Sequence, residues 1–249
     1  VVLLSYPLAL VLLTVIAVPF GGQLSASAVL WGLLAGVGQA FGVWWFYAAL
    51  GSGPISVVSP LTSVLVAGVP VGVGVALGER PSALALGGVV LALIAVVMVS
   101  RQAGDEDVRP HRFTVKVAWL TVGSGIAFGL NFVILDQVPV QAGLWPLVFG
   151  RLAATAIVAL AAVLTANFVV ERGVPLRLAL LAGVLDTVAN TATLLALQSS
   201  LLSLTGVLVA LYPAATVLLA VVVLRERVSR GQIAGMIFAF TSVAMIAAG

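Results

Sequence analysis

Residues Leu201–Leu224 read LLSLTGVLVALYPAATVLLAVVVL, without one charged side chain, and Arg225-Glu226-Arg227 closes the run. A helix needs about 20 apolar residues to cross roughly 30 Å of hydrocarbon, so this stretch is long enough to span a bilayer. The pattern recurs along the chain, at Val1 to Phe20, about Ala28 to Leu50, Ile55 to Gly78 and Ala83 to Ser100. It continues at Val117 to Leu135, about Leu144 to Val170, Leu178 to Leu197 and Ile233 to Ala248. Turn residues such as Gly51-Ser52-Gly53-Pro54 separate the runs. In lipid the backbone must satisfy its own hydrogen bonds, so a spanning segment is a helix or a barrel strand. Barrel strands alternate apolar and polar residues, whereas these runs are apolar on every side. The expected fold is an all-α membrane protein of about nine transmembrane helices.

Composition agrees. Of 249 residues, 62% are hydrophobic and 8% charged, against about 25% charged in a soluble domain. A soluble enzyme, a disordered chain and a nucleic-acid-binding domain are excluded. The net charge is only +3 and no basic stripe exists, so nucleic acid is not a partner. Cysteine is absent and the single histidine, His111, lies in the charged segment 101–116. No disulfide, metal site or cofactor is expected. Gly123-Ser124-Gly125 resembles a serine elbow but has no histidine at membrane depth to activate it. A phosphate-binding Gly-Lys loop and the charged rings of a channel are also missing.

The chain repeats itself at an offset of 147. Leu33-Leu34-Ala35-Gly36-Val37 falls on Leu180-Leu181-Ala182-Gly183-Val184, Glu79-Arg80-x-Ser82 on Glu226-Arg227-x-Ser229, Gly88 on Gly235 and Met98 on Met245. The expected division is a first repeat at 1–100 with four helices, a charged linker at 101–116, and a second repeat at 117–249 with five. The span 117–135 has no counterpart in the first half, so the reading is a ten-helix plan of five plus five whose first helix this sequence lacks. An odd number of helices per repeat inverts the second copy in the membrane, as in many secondary transporters.

Two further features carry a family resemblance. Glu79-Arg80 and Glu226-Arg227 each follow a long helix and precede a glycine-bearing last helix. Leu211-Tyr212-Pro213-Ala214-Ala215-Thr216-Val217 lies thirteen residues upstream of Glu226. The chain resembles EamA-type proteins of the drug/metabolite transporter superfamily. That resemblance implies ten helices in two inverted repeats around a central cavity, and carrier-type movement of small metabolites or drugs. It implies no particular substrate. The first-repeat position matching Pro213 is Val66, with Pro60 and Pro70 nearby.

A carboxylate in mid-membrane costs about 2.5–3.5 kcal/mol on the insertion scale, so it faces protein or water. Asp186 is the deepest acid, Asn190 lies one turn on, and the repeat sets Gln39 against Asp186. Asp186, Asn190, Gln39, Asn131 and Trp44 are the expected substrate-binding residues, with Asp186 a candidate proton carrier. Arg151, one turn into its span, is expected to snorkel to the interface in preference to binding an anion. The turn pairs Glu79-Arg80 and Glu226-Arg227 are expected to lock their hairpins by charge-assisted hydrogen bonds. Pro60, Pro70 and Pro213 interrupt corresponding spans, a pointer to a transport site. Nine of the eleven basic residues fall on one side, which the positive-inside rule puts in the cytoplasm, with the C-terminus outside. The expected function is a carrier of small organic molecules in the cell (inner or plasma) membrane, the alternative a non-transporting accessory membrane protein. Its partners are the bilayer and a small-molecule substrate. Oligomeric state is not fixed by the sequence, a homodimer being one option.

Overall fold

The structure is a computed structural model that describes residues 2–100, 114–164, 173–219, 221–222 and 229–249. The helices are α1 (Val2–Phe20), α2 (Ala26–Ser52), α3 (Ile55–Ala76), α4 (Ala83–Ser100) and α5 (Val115–Asp136). They continue as α6 (Trp145–Leu164), α7 (Val174–Ser199), α8 (Leu202–Ala210), α9 (Tyr212–Leu219) and α10 (Arg230–Ala248). A 3-10 turn at Val140–Ala142 joins α5 to α6. No strand occurs among the described residues. Eight spans among them, Leu202–Leu219 counted as one, are long and apolar enough to cross a membrane, and Ala83–Val99 is a shorter apolar helix. The protein is a multi-pass helical membrane protein.

The offset of 147 recurs in the helix boundaries. α3 begins at Ile55 and α8 at Leu202; α4 begins at Ala83 and α10 at Arg230; α2 ends at Ser52 and α7 at Ser199. One departure has a local cause. Pro213 has no N–H for the Val209 carbonyl, and its ring crowds the preceding turn. The helix breaks at Leu211, whose N–H turns to the Leu208 and Val209 carbonyls. Pro213 is then the second residue of α9, inside the first turn, where a missing donor costs nothing. Pro60 and Pro70 behave differently. Both are buried, and α3 runs through them unbroken.

The chain forms two compact units, Val1–Ala40 with Asn131–Ser199, and Phe41–Leu130 with Ser200–Gly249. Each draws on both halves of the sequence. In the first, α1 packs on α6 and α7; in the second, α4 packs on α10 and α3 on α8. Three of these contacts, α1 with α6, α3 with α8 and α4 with α10, join a helix to its own repeat counterpart. The α4–α10 contact is reciprocal. A methyl group on Gly88 would lie 3.1 Å from Met245 Cβ and 2.9 Å from Ile246, and one on Gly235 would lie 2.9 Å from Met98 Cβ and 3.0 Å from Val99 N. Met245 and Ile246 are the counterparts of Met98 and Val99. The two helices therefore cross antiparallel about a local two-fold axis.

Burial follows the rules of lipid. Buried positions are rich in alanine and in polar residues such as Thr62, Ser63, Thr121, Ser124 and Thr187, while large apolar residues such as Val11, Val15 and Val18 face outward. Small residues let helix backbones approach, and dispersion then holds them. Some hydroxyls close onto their own helices, as where Thr121 Oγ1 donates to the Val117 carbonyl at 2.7 Å and Thr187 Oγ1 to the Gly183 carbonyl at 2.9 Å, while Ser124 Oγ reaches across from α5 to the Gly42 carbonyl of α2 at 2.9 Å.

Glu79 departs from its expected partner. Gly78, at φ 97°, ends α3, and the Glu79 N–H returns to the Gly74 carbonyl at 2.9 Å. This turn carries the Glu79 carboxylate to the start of α8. There it accepts from Leu202 N at 2.6 Å and Ser203 N at 3.0 Å. The charge-assisted bonds thus tie α3 to α8, not Glu79 to Arg80, which is exposed. Two of α8's orphan N–H groups and its positive end meet one anion. Glu79→Ala is expected to cost about 1–2 kcal/mol of stability and Glu79→Gln less, since an amide retains one acceptor. Thermal unfolding of the purified protein checks the order. Glu226 and Arg227 lie outside the described residues.

Candidate functional site

The first unit holds the deepest polar cluster. Arg151 lies six positions into α6 with only 2% of its side chain exposed. Its Nη2 donates to Asp186 Oδ2 on α7 in a short ion pair. Asn190, one turn further along α7, donates from Nδ2 to Asp186 Oδ1 at 3.0 Å and to the Asp186 carbonyl at 2.8 Å. From α1 the Tyr6 ring lies under the guanidinium, 4.5 Å from its carbon. Such a cation–π contact contributes about 0.5–2 kcal/mol, most when desolvated. The expected snorkelling of Arg151 is therefore corrected. An acid, an amide and an aromatic face inside the protein satisfy the cation better than a distant interface would.

Beside this pair is a small cavity of about 10 Å³, room for a single water centre. Gln39, Asn131, Arg151 and Asn190 line it with polar groups, and Leu13, Ala35, Gly36, Leu135, Pro146, Leu147 and Gly150 complete the wall. Glycine makes it: a methyl group on Gly36 would run into the Gly150 carbonyl, so α2 and α6 meet backbone to backbone. Three buried polar atoms here have no hydrogen-bond partner among the described residues: Arg151 Nε, Arg151 Nη1 and Asn131 Oδ1. Asp186 is not in the wall; it holds Arg151 from behind.

Of the expected binding residues, the structure brings Gln39, Asn131 and Asn190 to one cavity, with Asp186 one bond away. It does not bring Trp44, which belongs to the second unit, is 62% exposed and stacks on Phe41 at 6.1 Å. Asn131 lies near the C-terminal end of α5, 9% exposed. Sequence reading missed Tyr6 and the pairing of Arg151 with Asp186. The available signal was two opposite charges in consecutive spans.

The second unit has a larger cleft of about 280 Å³ between α8, α9 and α10, walled by Leu208, Leu211, Leu218, Phe240 and Val243. The one polar side chain among its described lining residues, Tyr212, has its hydroxyl hydrogen-bonded to Ser63 Oγ at 3.1 Å. Without convergent polar groups it lacks the means to orient a ligand.

Residues 115–248, more than half of the chain, match the family model described as "EamA-like transporter family". The chain belongs to the EamA-like transporter family. This family sits in the drug/metabolite transporter superfamily, so the protein is a membrane transporter in the general sense. A solved structure titled "Crystal structure of protein" shares the fold, with a TM-score of 0.74 and 19% identity over 98% of this chain and 86% of that one. No curated protein matches the sequence. The matched residues run from the start of α5 to the end of α10.

Proposed function

We propose that this EamA-like protein is a secondary carrier of small organic molecules, not an enzyme, and that it works by alternating access in the cell membrane. The observation that carries the reading is the cluster of Gln39, Asn131, Arg151, Asp186 and Asn190 within membrane-spanning helices of a transporter-family chain. Ionisable groups at that depth are costly and mark substrate or ion paths by default. Inverted repeats with an interrupted helix, here the break at Leu211, support the same mechanism. The sequence has no nucleotide-binding loop, so the driving force is a gradient. In this reading Asp186 carries the coupling proton, because protonation would release Arg151 from its partner.

The test compares metabolites in the medium of cells expressing the chain or Asp186→Asn, both verified in the membrane. The expected result is altered export of at least one metabolite, with the pH-gradient dependence of that flux lost in Asp186→Asn. Unchanged gradient dependence in the variant sinks proton coupling. No altered metabolite with the chain in the membrane favours the accessory-protein reading. Orientation has its own test, since the chain is free of cysteine. A single cysteine at Gln102 is expected to react with an impermeant maleimide only from the cytoplasmic side, and one at Gln23 only from outside.

A further inference from the structure

We infer that a single ordered water molecule is a fixed part of this cluster, bridging Arg151 on α6 to Asn131 on α5 and so holding the guanidinium that meets Asp186. The inference does not depend on the carrier reading. It begins with unanswered atoms. Guanidinium carries five N–H donors. Asp186 accepts from Nη2, while Nε and Nη1, both buried, have no partner among the described residues. Asn131 Oδ1 is a buried acceptor, equally without one among them. Both side chains line the same cavity, inside the first compact unit. A buried polar atom left unanswered costs the full loss of its hydration, and a cationic one costs most.

Three properties of the cavity select its occupant. Its volume of about 10 Å³ admits one water-sized centre and no organic group. Its charge is already balanced, because Arg151 is paired with Asp186, and a further ion would sit uncompensated in a low dielectric. Its open positions are two donors and one acceptor, so the occupant must accept twice and donate once. A neutral molecule with one heavy atom and both capacities is water. Three bonds are the usual number for a buried water. Each is nearly as good in enthalpy as a direct hydrogen bond. The remaining wall of leucine, alanine, glycine and proline offers no competing side-chain partner. Asn131 is thereby a positioning residue, which acts on Arg151 through the water and ties α5 to α6 beside the ion pair.

Two measurements test the bridge. The first is an experimental structure at a resolution that shows ordered water. It is expected to show one peak about 2.7–3.2 Å from Arg151 Nε or Nη1 and from Asn131 Oδ1. A dry cavity, or Asn131 bonded directly to Arg151, overturns the inference. The second is the unfolding temperature of Asn131→Leu in two backgrounds. In the otherwise unchanged chain the substitution removes the acceptor and leaves the water one bond short. The unfolding temperature is expected to fall by about 2–4 °C. In the Arg151→Leu/Asp186→Leu background the water has lost its anchor, and Asn131 Oδ1 is an orphan in its own right. There the same substitution should cost nothing or raise the temperature. An equal loss in both backgrounds would mean that Asn131 acts by packing and not through Arg151, and the bridge would be overturned.

Discussion

Arg151→Leu is expected to lower the stability of the protein by about 3 kcal/mol, and adding Asp186→Leu to return most of that loss. The reason is an asymmetry in buried ion pairs. Removing one partner leaves the other charge unpaired in a low dielectric, at about 3–5 kcal/mol, whereas replacing both with apolar residues is often neutral or stabilising. The lower figure applies because Asp186 keeps the hydrogen bond from Asn190 and a third of its side chain is exposed. Arg151→Leu also strips the cation from the Tyr6 ring, a smaller term that the second substitution does not restore. Thermal unfolding of the wild type, both single variants and the double variant gives the coupling energy directly. A double variant as unstable as the sum of the singles would show that the pair contributes nothing as a pair. Flux distinguishes structure from function: the double variant is expected to be well folded and inactive.

This pair also shows where sequence reading stopped. Counted from the ends that share one side of the membrane, Arg151 is six residues into α6 and Asp186 thirteen into α7. At 1.5 Å per residue, two untilted helices would separate them by roughly 10 Å in depth. Tilt, and which helices adjoin, are set by packing and not by spacing. The ion pair was thus invisible, although both residues were singled out. Tyr6 was hidden for the same reason, since its partner comes from a helix 145 positions away in the chain. Glu79 was singled out as a lock for its own hairpin, whereas its carboxylate accepts from the N-terminus of α8, a contact between helices that the local sequence does not show. The spans, in contrast, were legible to within about four residues wherever their ends are described, because hydrocarbon thickness and turn residues act locally. Gln39, Asn131 and Asn190 were legible as polar groups out of place in lipid. Trp44 was not resolvable, since an aromatic facing lipid and one facing a cavity look alike in sequence.

The crossing of α4 and α10 yields the sharpest use of the repeat. Gly88→Val and Gly235→Val are expected to destabilise by similar amounts, about 1–3 kcal/mol each, the usual cost of overpacking. The equality follows from the local two-fold axis: each added side chain meets the same pair of residues, Met245 and Ile246 in one case, Met98 and Val99 in the other. The two contacts lie about ten residues apart along the helices, roughly 15 Å, so their effects should add in the double variant. Gly72→Ala is the control. Outside the neighbouring backbone of α3 itself, no described atom lies within 4 Å of the position a methyl group would take there. Its replacement should stabilise the helix, by up to about 1 kcal/mol on propensity. Thermal unfolding of the four variants in detergent measures all of this. If Gly88→Val were severe and Gly235→Val harmless, the two-fold relation between α4 and α10 would fail, because symmetric contacts cannot respond so unequally. If both cost the same and Gly72→Ala gained, close approach at the repeat-related glycines, and not glycine as such, holds this part of the protein together.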